Sequence, residues 1–220
     1  MTNRLKFVTV MIVALMFAAA LVMGQAGTNA ALKNPAALKE QAPATYKVNF
    51  DTSAGTFIVE VHRDWSPNGA DRFYNLAKNG FFDDMRFYRI VPGFMAQFGI
   101  HADPTVTAAW SRSQFPDDPV KESNQRGYVT FAKTGAPNSR STQLFINFGD
   151  NAQLDKQGFS PIGRVTTGMN VVDKLYSGYG DMAEQGGKGP SQAQLTAQGN
   201  AYVTKGFPKL DYIKKATIEK

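Results

Sequence analysis

The pattern of apolar and polar residues predicts a chain built mostly of short β-strands. Apolar side chains alternate with polar ones from Tyr46 to Phe50 and again from Phe57 to Val61, with Ser53-Ala54-Gly55 between the two runs. This period of two predicts a β-hairpin with one buried face. Further runs with strand character lie at residues 85–91, 94–99, 128–132, 143–147, 160–165 and 210–218.

Helical periodicity is confined to two short segments. In residues 66–80, Ser66 and Pro67 offer an N-cap and a first-turn proline, and Gly80 can end the helix in a left-handed conformation. A second short helix is predicted at 169–176. The glycine-rich stretch 178–191 predicts a loop, and residues 192–198 are a candidate for a further helix. Many short strands with only two short α-helices indicate a mainly β fold, a closed antiparallel β-barrel capped at its ends.

The N-terminus has the layout of a secretory signal peptide. Arg4 and Lys6 are followed by an uncharged apolar stretch from Phe7 to Met23, and small residues come next. This order predicts a signal peptide over residues 1–26, with cleavage after Ala26 or, alternatively, after Ala30. An uncleaved membrane anchor is the other interpretation, because the apolar stretch is near the lower length limit for a spanning helix. We therefore expect an exported protein, periplasmic or secreted.

Composition favours one folded domain after this segment. Residues 27–44, rich in Ala, Lys and Pro, predict a flexible linker, and residues 45–219 the domain. The net charge is +6, and without residues 1–30 it is 22 − 18 = +4, scattered rather than clustered. We therefore expect no nucleic-acid binding. The chain has no cysteine, which excludes disulfides and thiolate chemistry. We expect a monomer without cofactor or metal, and without membrane contact once the signal is removed.

The segment Phe87–Gln97 carries the candidate chemistry. It places Arg89, Met95 and Gln97 around a Pro92-Gly93 turn, close enough to share one face. An arginine beside an apolar face must find partners or lose solvation, so this combination predicts a shallow apolar pocket with one positioned guanidinium. The two histidines, His62 and His101, form no nucleophile–base arrangement that the sequence reveals.

Four segments in the same order resemble the cyclophilins, a family of peptidyl-prolyl cis–trans isomerases. They are Phe87–Gln97, Val129–Asn147, Leu154-Asp155 and Ile162–Val165, and the resemblance extends over residues 45–219. It implies an eight-stranded barrel with a helix over each opening. It also implies isomerisation of X-Pro bonds in unfolded or newly exported proteins, whose slow step is rotation about the prolyl amide. The expected partners are proline-containing, unfolded or flexible polypeptides.

The resemblance also implies a role for each site residue. Arg89 would donate hydrogen bonds to the twisted prolyl amide, and Gln97 would hold the guanidinium, with no covalent intermediate. The implied pocket for the pyrrolidine ring consists of Phe94, Met95, Phe145, Leu154 and Phe159, and the substrate chain would bind Gln143 and the backbone around Ala132 and Lys133. Two positions depart from many eukaryotic members, which have a tryptophan at Gln153 and a histidine at Phe159.

Two other classes of function compete with an isomerase. A proline-binding holdase without turnover would need the pocket but not the donor, and the presence of both Arg89 and Gln97 argues against it. A small-ligand-binding barrel of the lipocalin type would need an internal cavity, for which the large side chains at interior positions leave little room.

Overall fold

The computed structural model describes residues 30–219, so the signal peptide predicted for residues 1–26 lies outside the described residues. One antiparallel sheet organises the chain, with the strand order β3-β9-β1-β2-β8-β6-β7-β5-β4. Its strands are β1 (Thr45–Thr52), β2 (Gly55–His62), β3 (Met85–Arg86), β4 (Arg89–Val91), β5 (Met95–Phe98), β6 (Tyr128–Phe131), β7 (Leu144–Asn147), β8 (Pro161–Thr167) and β9 (Tyr212–Ile218). The mainly β, antiparallel prediction is confirmed.

Within residues 30–219 the strand count is nine rather than eight, because one predicted strand is divided. Residues 85–91 form β3 and β4, which lie at opposite ends of the strand order. Between them, Phe87 N–H donates to Asp211 O (3.0 Å) and Tyr88 N–H donates to Gln97 O (3.2 Å). A single continuous segment therefore connects the two edge strands of the curled sheet, β3 and β4, which do not pair with each other.

Helices flank the sheet, and there are more of them than the two predicted. In the described residues they are α1 (Pro67–Lys78), α2 (Pro104–Ser111), α3 (Met169–Val172), α4 (Gln192–Gln198) and α5 (Asn200–Gly206), with 3₁₀ turns at Pro35–Ala37, Ala152–Gln157 and Ala183–Gln185. The predicted helices correspond to α1 and α3, and the candidate at 192–198 to α4. The sequence did not reveal α2 because only Val106 and Trp110 of its residues are buried, too few for a readable period. None of the helices in residues 30–219 combines the length and apolarity needed to cross a membrane.

The barrel interior is filled by aromatic side chains. Phe50 stacks on Phe57 with ring centroids 4.9 Å apart, and Phe82 and Phe98 approach Phe50 at 5.8 and 6.2 Å. All four rings are at most 1% exposed. Aromatic rings in such offset and edge contacts fill volume efficiently. Large side chains therefore occupy the interior, in agreement with the sequence prediction.

Two strands, β5 and β7, are buried on both faces, and this places the functional site outside the barrel. Ala96 and Phe98 of β5 belong to the main core, whereas Met95 joins a separate apolar cluster with Phe145 of β7. Because side chains alternate across a strand, odd-numbered residues of β5 and β7 all point to this second cluster. Burial on both faces also explains why these strands appear as apolar runs without alternation.

The start of α1 is capped differently from the sequence prediction. Ser66 is the N-cap residue, but its side chain makes no capping bond and instead donates to Asp118 Oδ2 (2.6 Å). Asp118 accepts from the Asn68 and Gly69 N–H groups at 3.1 and 3.0 Å, so a carboxylate from a distant loop caps the helix. The predicted end is present, with Gly80 at φ 72°.

The described part of the predicted linker packs on the domain, which differs from a flexible tether. Leu32 is 2% exposed, and its carbonyl accepts from Trp110 Nε1 at 2.8 Å. Further along, Glu40 N–H and Ala42 N–H donate to Asn75 Oδ1 and Asp71 Oδ1 of α1. The apolar leucine and these polar contacts hold residues 30–44 against α1 and α2. Composition indicated flexibility because it carries no information about contacts with residues that are distant in the sequence.

Candidate functional site

The candidate site is built on the hairpin of β4 and β5. Its register places Arg89 directly opposite Gln97 and Val91 opposite Met95. The connecting turn contains Gly93 with φ 74°, a left-handed conformation that glycine adopts without strain. On the other side of β5, Gln97 faces Phe145 of β7. Arg89, Gln97 and Phe145 therefore form one row across three strands, on the face that points away from the barrel core.

A relay of side-chain hydrogen bonds fixes the polar part of this row. Arg89 NH1 donates to Gln97 Oε1 at 3.0 Å, and Gln97 Nε2 donates to Gln143 Oε1 at 3.1 Å. The same Gln143 oxygen accepts from the Tyr88 hydroxyl at 2.6 Å. Burial raises the pKa of Tyr88, so its hydroxyl stays protonated and remains a donor. The two amide orientations are thereby determined, and Gln97 presents its oxygen to the guanidinium.

The residues that the sequence assigned to the site line a single groove of about 410 Å³. All ten are present in its wall: Arg89, Phe94, Met95, Gln97, Ala132, Lys133, Gln143, Phe145, Leu154 and Phe159. Met95, Phe145 and Leu154 form a buried apolar cluster against which Phe94 and Phe159 pack. The Phe145 and Phe159 rings meet edge to face with centroids 5.9 Å apart. The result is an apolar hollow with a guanidinium at its edge.

Two buried asparagines hold the walls of this hollow, and the sequence did not single them out. Asn151 Nδ2 donates to Phe94 O at 2.9 Å, and Asn124 Nδ2 donates to Phe159 O at 2.8 Å. Asn124 also donates to Asp155 Oδ1 at 2.7 Å. Burial by itself would raise the pKa of Asp155, but its bonds from Ser123 and Asn124 hold it below the usual range. These polar side chains lie behind the ring pocket and orient its backbone.

A second wall of the groove comes from a segment for which the sequence offered no role. Met182, Gln185 and Gln192 line it, together with Thr134 of the loop that follows β6. On this side Asp181 contacts Arg89 directly, with 2.6 Å between Oδ1 and Nε. The only signal in the sequence was the glycine-rich composition of residues 178–191, which indicates a loop but not what it touches.

Other candidates from the sequence lie outside the groove. His62 bonds to Glu60 and stacks on Trp65 at 4.3 Å, and His101 is buried, accepting from Asp103 N–H at 2.9 Å. Burial is the main reason that the pKa of His101 is lowered. Gln153 is exposed on its 3₁₀ turn and does not line the groove. No group of three or more potential metal ligands occurs within residues 30–219.

Comparisons with known proteins agree on one family. The family model described as "Cyclophilin type peptidyl-prolyl cis-trans isomerase/CLD" matches residues 47–196. A relative from Rhizopus delemar named peptidyl-prolyl cis-trans isomerase-like 1 is 36% identical over 135 residues, covering 59% of this chain and 79% of its own. A peptidyl-prolyl cis-trans isomerase from Acinetobacter baylyi is 31% identical over 145 residues, covering 63% and 76%.

Solved structures agree on the fold. A cyclophilin-type peptidyl-prolyl cis-trans isomerase from Cryptosporidium parvum superposes with a TM-score of 0.59 at 20% identity, covering 80% of this chain and 98% of that one. The same protein solved in the presence of the dipeptide Ala-Pro gives a TM-score of 0.58. Since the family model spans well over half of the chain, this protein belongs to the cyclophilin-type peptidyl-prolyl cis–trans isomerases.

Proposed function

We propose that this isomerase accelerates rotation about X-Pro bonds in unfolded or newly exported polypeptides, with Arg89 as the hydrogen-bond donor to the twisted amide. The observation that carries the proposal is the position of the Arg89 guanidinium. It lies at the edge of the apolar hollow and is fixed by Gln97 at 3.0 Å. Few other groups in this groove could donate a strong, permanently charged hydrogen bond.

The chemistry requires only differential binding. A prolyl amide rotates against a resonance barrier of about 18–20 kcal/mol. In the planar ground state the nitrogen lone pair is delocalised into the carbonyl group; at the twisted geometry conjugation is lost and the lone pair becomes localised on nitrogen, where it can accept a hydrogen bond. A fixed N–H aimed at that lone pair stabilises the transition state more than the ground state, which is the condition for catalysis. No bond to the protein forms, so no nucleophile is needed.

The groove supplies the remaining requirements. The hollow of Met95, Phe145 and Leu154 is apolar and suits a pyrrolidine ring, whose immobilisation leaves the acyl side of the amide to rotate. Gln143 and the backbone of Ala132 and Lys133 form the adjoining wall and would bind the substrate chain. Within the described residues, Gln143 Nε2 makes no protein hydrogen bond, which leaves it available to a peptide carbonyl.

The names of the relatives and the structure solved with Ala-Pro support a proline-containing peptide as the substrate class. The direct test is a proline tetrapeptide assay in which isomerisation is followed with increasing enzyme. We expect a rate that rises in proportion to enzyme concentration. A non-catalytic holdase would bind the peptide without accelerating it, and a ligand-binding barrel would do neither. Either of those results would contradict the proposed function.

Export is a separate proposal, supported by the charge and apolarity pattern of the first residues. We expect the mature protein to begin near residue 27 or residue 31 and to be recovered in a soluble extracytoplasmic fraction. Intact-mass measurement of the natively produced protein determines the terminus. Recovery from membranes alone, with Met1 or Thr2 as the first residue, would establish an uncleaved anchor instead.

A further inference from the structure

The loop over residues 178–191, termed here the glycine loop, brings a carboxylate onto the proposed catalytic arginine. Asp181 Oδ1 accepts from Arg89 Nε at 2.6 Å, and Oδ2 accepts from Arg89 NH2 at 3.2 Å. Arg89 also donates from NH1 to Gln97. A guanidinium has five N–H groups, so these three bonds leave one on NH1 and one on NH2 for a ligand. The side chains of Arg89 and Asp181 are 19% and 31% exposed, so water competes only partly for the pair.

The backbone of the glycine loop holds Asp181 in place. Its Oδ1 accepts from the Met182 N–H at 2.7 Å, and its carbonyl oxygen accepts from the Gly189 N–H at 2.8 Å. A Cβ atom at Gly187 or Gly189 would lie 2.1 or 2.6 Å from the same carbonyl oxygen. Glycine at both positions therefore allows the loop to close around Asp181. This close approach explains why Gly187 and Gly189 are glycines.

Two anchors fix the glycine loop to the domain. Met182 is 6% exposed and packs in an apolar cluster with Tyr88 and Leu195. Glu184 accepts from Ser191 Oγ at 2.6 Å and from the Gln192 N–H at 3.1 Å, where α4 begins. These contacts hold the loop that carries the Asp181 carboxylate, whereas an ordinary surface ion pair has no such support.

We propose that Asp181 is a positioning residue for the isomerase reaction, which clamps the Arg89 guanidinium so that its two remaining N–H groups point into the groove. This inference rests on the proposed function of Arg89. Gln97 alone would leave a long, flexible side chain held by one hydrogen bond, whereas the bidentate carboxylate fixes the plane of the guanidinium. Burial alone would raise the pKa of Asp181, but the bonds from Arg89 and Met182 lower it below its usual range, so the clamp is ionised at neutral pH.

The main alternative is that Asp181 weakens Arg89 as a donor, and it predicts the opposite change in rate when Asp181 is removed. A carboxylate bound to Arg89 also offsets its charge, and an arginine with less effective charge is a weaker donor. If this effect dominated, removing Asp181 would increase the rate. The preorganised loop favours the positioning role, because a fixed donor requires no reorganisation when the amide twists.

The test is a double-mutant cycle on kcat/KM for a proline tetrapeptide. We expect Asp181→Ala to lower kcat/KM about tenfold, mainly through kcat, and Asp181→Asn to lower it less, because its amide oxygen can still accept one bond. In an Arg89→Ala background, assayed at raised enzyme concentration, the same Asp181 changes should alter kcat/KM less than twofold. A purely structural role would reduce activity by the same factor in both backgrounds.

Two further measurements test whether the kinetic changes come from the position of the Arg89 guanidinium. Solvent exchange of the Arg89 Nε–H, followed by NMR, should become faster in Asp181→Asn. Gly187→Ala should shift the loop and lower kcat/KM as Asp181→Ala does, with Gly206→Ala as a matched control, because a Cβ there meets nothing within 4 Å.

Unchanged or increased activity of Asp181→Ala, or equal losses with and without Arg89, would overturn the clamp. If Arg89→Ala itself retained full activity, the proposed function of Arg89 would fail first, and the two failures are therefore distinguishable.

Discussion

Replacing Arg89 with alanine is expected to lower kcat/KM for a proline tetrapeptide by about two orders of magnitude, the usual effect of removing a fixed transition-state donor. The loss should appear mainly in kcat, because the apolar hollow of Met95, Phe145 and Leu154 that receives the ring is unchanged. The removed ion pair with Asp181 is partly exposed, so the free energy of unfolding should change by about 1 kcal/mol or less. Steady-state kinetics and denaturant unfolding of the same preparation measure both.

A second arginine provides the matched control. Arg126 also pairs with an aspartate, at 2.8 Å from Asp173 Oδ2, but it is 47% exposed and does not line the groove. Arg126→Ala should therefore retain wild-type kinetics. Arg89→Lys separates charge from geometry: an ammonium keeps the charge but lacks the planar fork that bonds Gln97 and Asp181 together, so we expect intermediate activity. Wild-type kcat/KM for Arg89→Ala, with unchanged stability, would exclude the mechanism proposed here.

The parts of the molecule that the sequence predicted are those encoded by neighbours along the chain. The β1–β2 hairpin follows from alternation and from the turn at Ser53-Ala54, and its register pairs Thr52 with Gly55. The pair of Arg89 and Gln97 is eight residues apart on two strands joined by one tight turn. In both cases a local pattern determines which side chains share a face.

Polar contacts between distant loops could not be predicted in this way. Asp181 bonds to a residue 92 positions earlier, and Asp118 caps a helix about 50 positions before it. Nothing in the composition of either loop specifies its partner, because that depends on how the barrel brings the loops together. The glycine loop illustrates the difference: its residues predicted irregular backbone, but only the structure relates Gly187 to the carbonyl oxygen of Asp181.

The capping acceptor of α1 could not be predicted for the same reason: it lies on a distant loop. Ser66 in front of a proline is the usual sequence signal of an N-cap. In the structure its hydroxyl donates to Asp118, and the stronger acceptor takes the helix N–H groups. A charged acceptor at a helix N-terminus is favoured over a neutral hydroxyl by the helix dipole as well as by hydrogen-bond strength. Because Asp118 takes these bonds and also pairs with buried Arg140, its removal is expected to have a large effect on stability.

Asp118→Ala is expected to destabilise the fold by about 3–5 kcal/mol, the usual cost of breaking a buried ion pair. Asp118 accepts from Arg140 NH2 at 3.0 Å, and the two side chains are only 3% and 1% exposed. It also accepts from Ser66 Oγ and from the N–H groups of Asn68 and Gly69. Removing the carboxylate leaves the buried guanidinium with Asp117, 3.3 Å from its Nε, as its remaining counter-charge, and it uncaps α1 at the same time.

The loss of unfolding free energy should be much larger for the buried ion pair of Asp118 than for an exposed pair, and the chain contains an example of each. Asp173→Ala removes a carboxylate that is 39% exposed from a pair with Arg126, and it should cost about 1 kcal/mol or less. Asp118→Asn keeps an acceptor oxygen but removes the charge, so its cost should lie between the two alanine variants. Urea unfolding of the three variants measures these differences. A cost for Asp118→Ala as small as that for Asp173→Ala would mean that Asp117 and the carbonyl oxygen of Pro116, which Arg140 already contacts, are sufficient to hold its guanidinium. The Asp118 carboxylate would then not be what holds the start of α1 to the Arg140 loop.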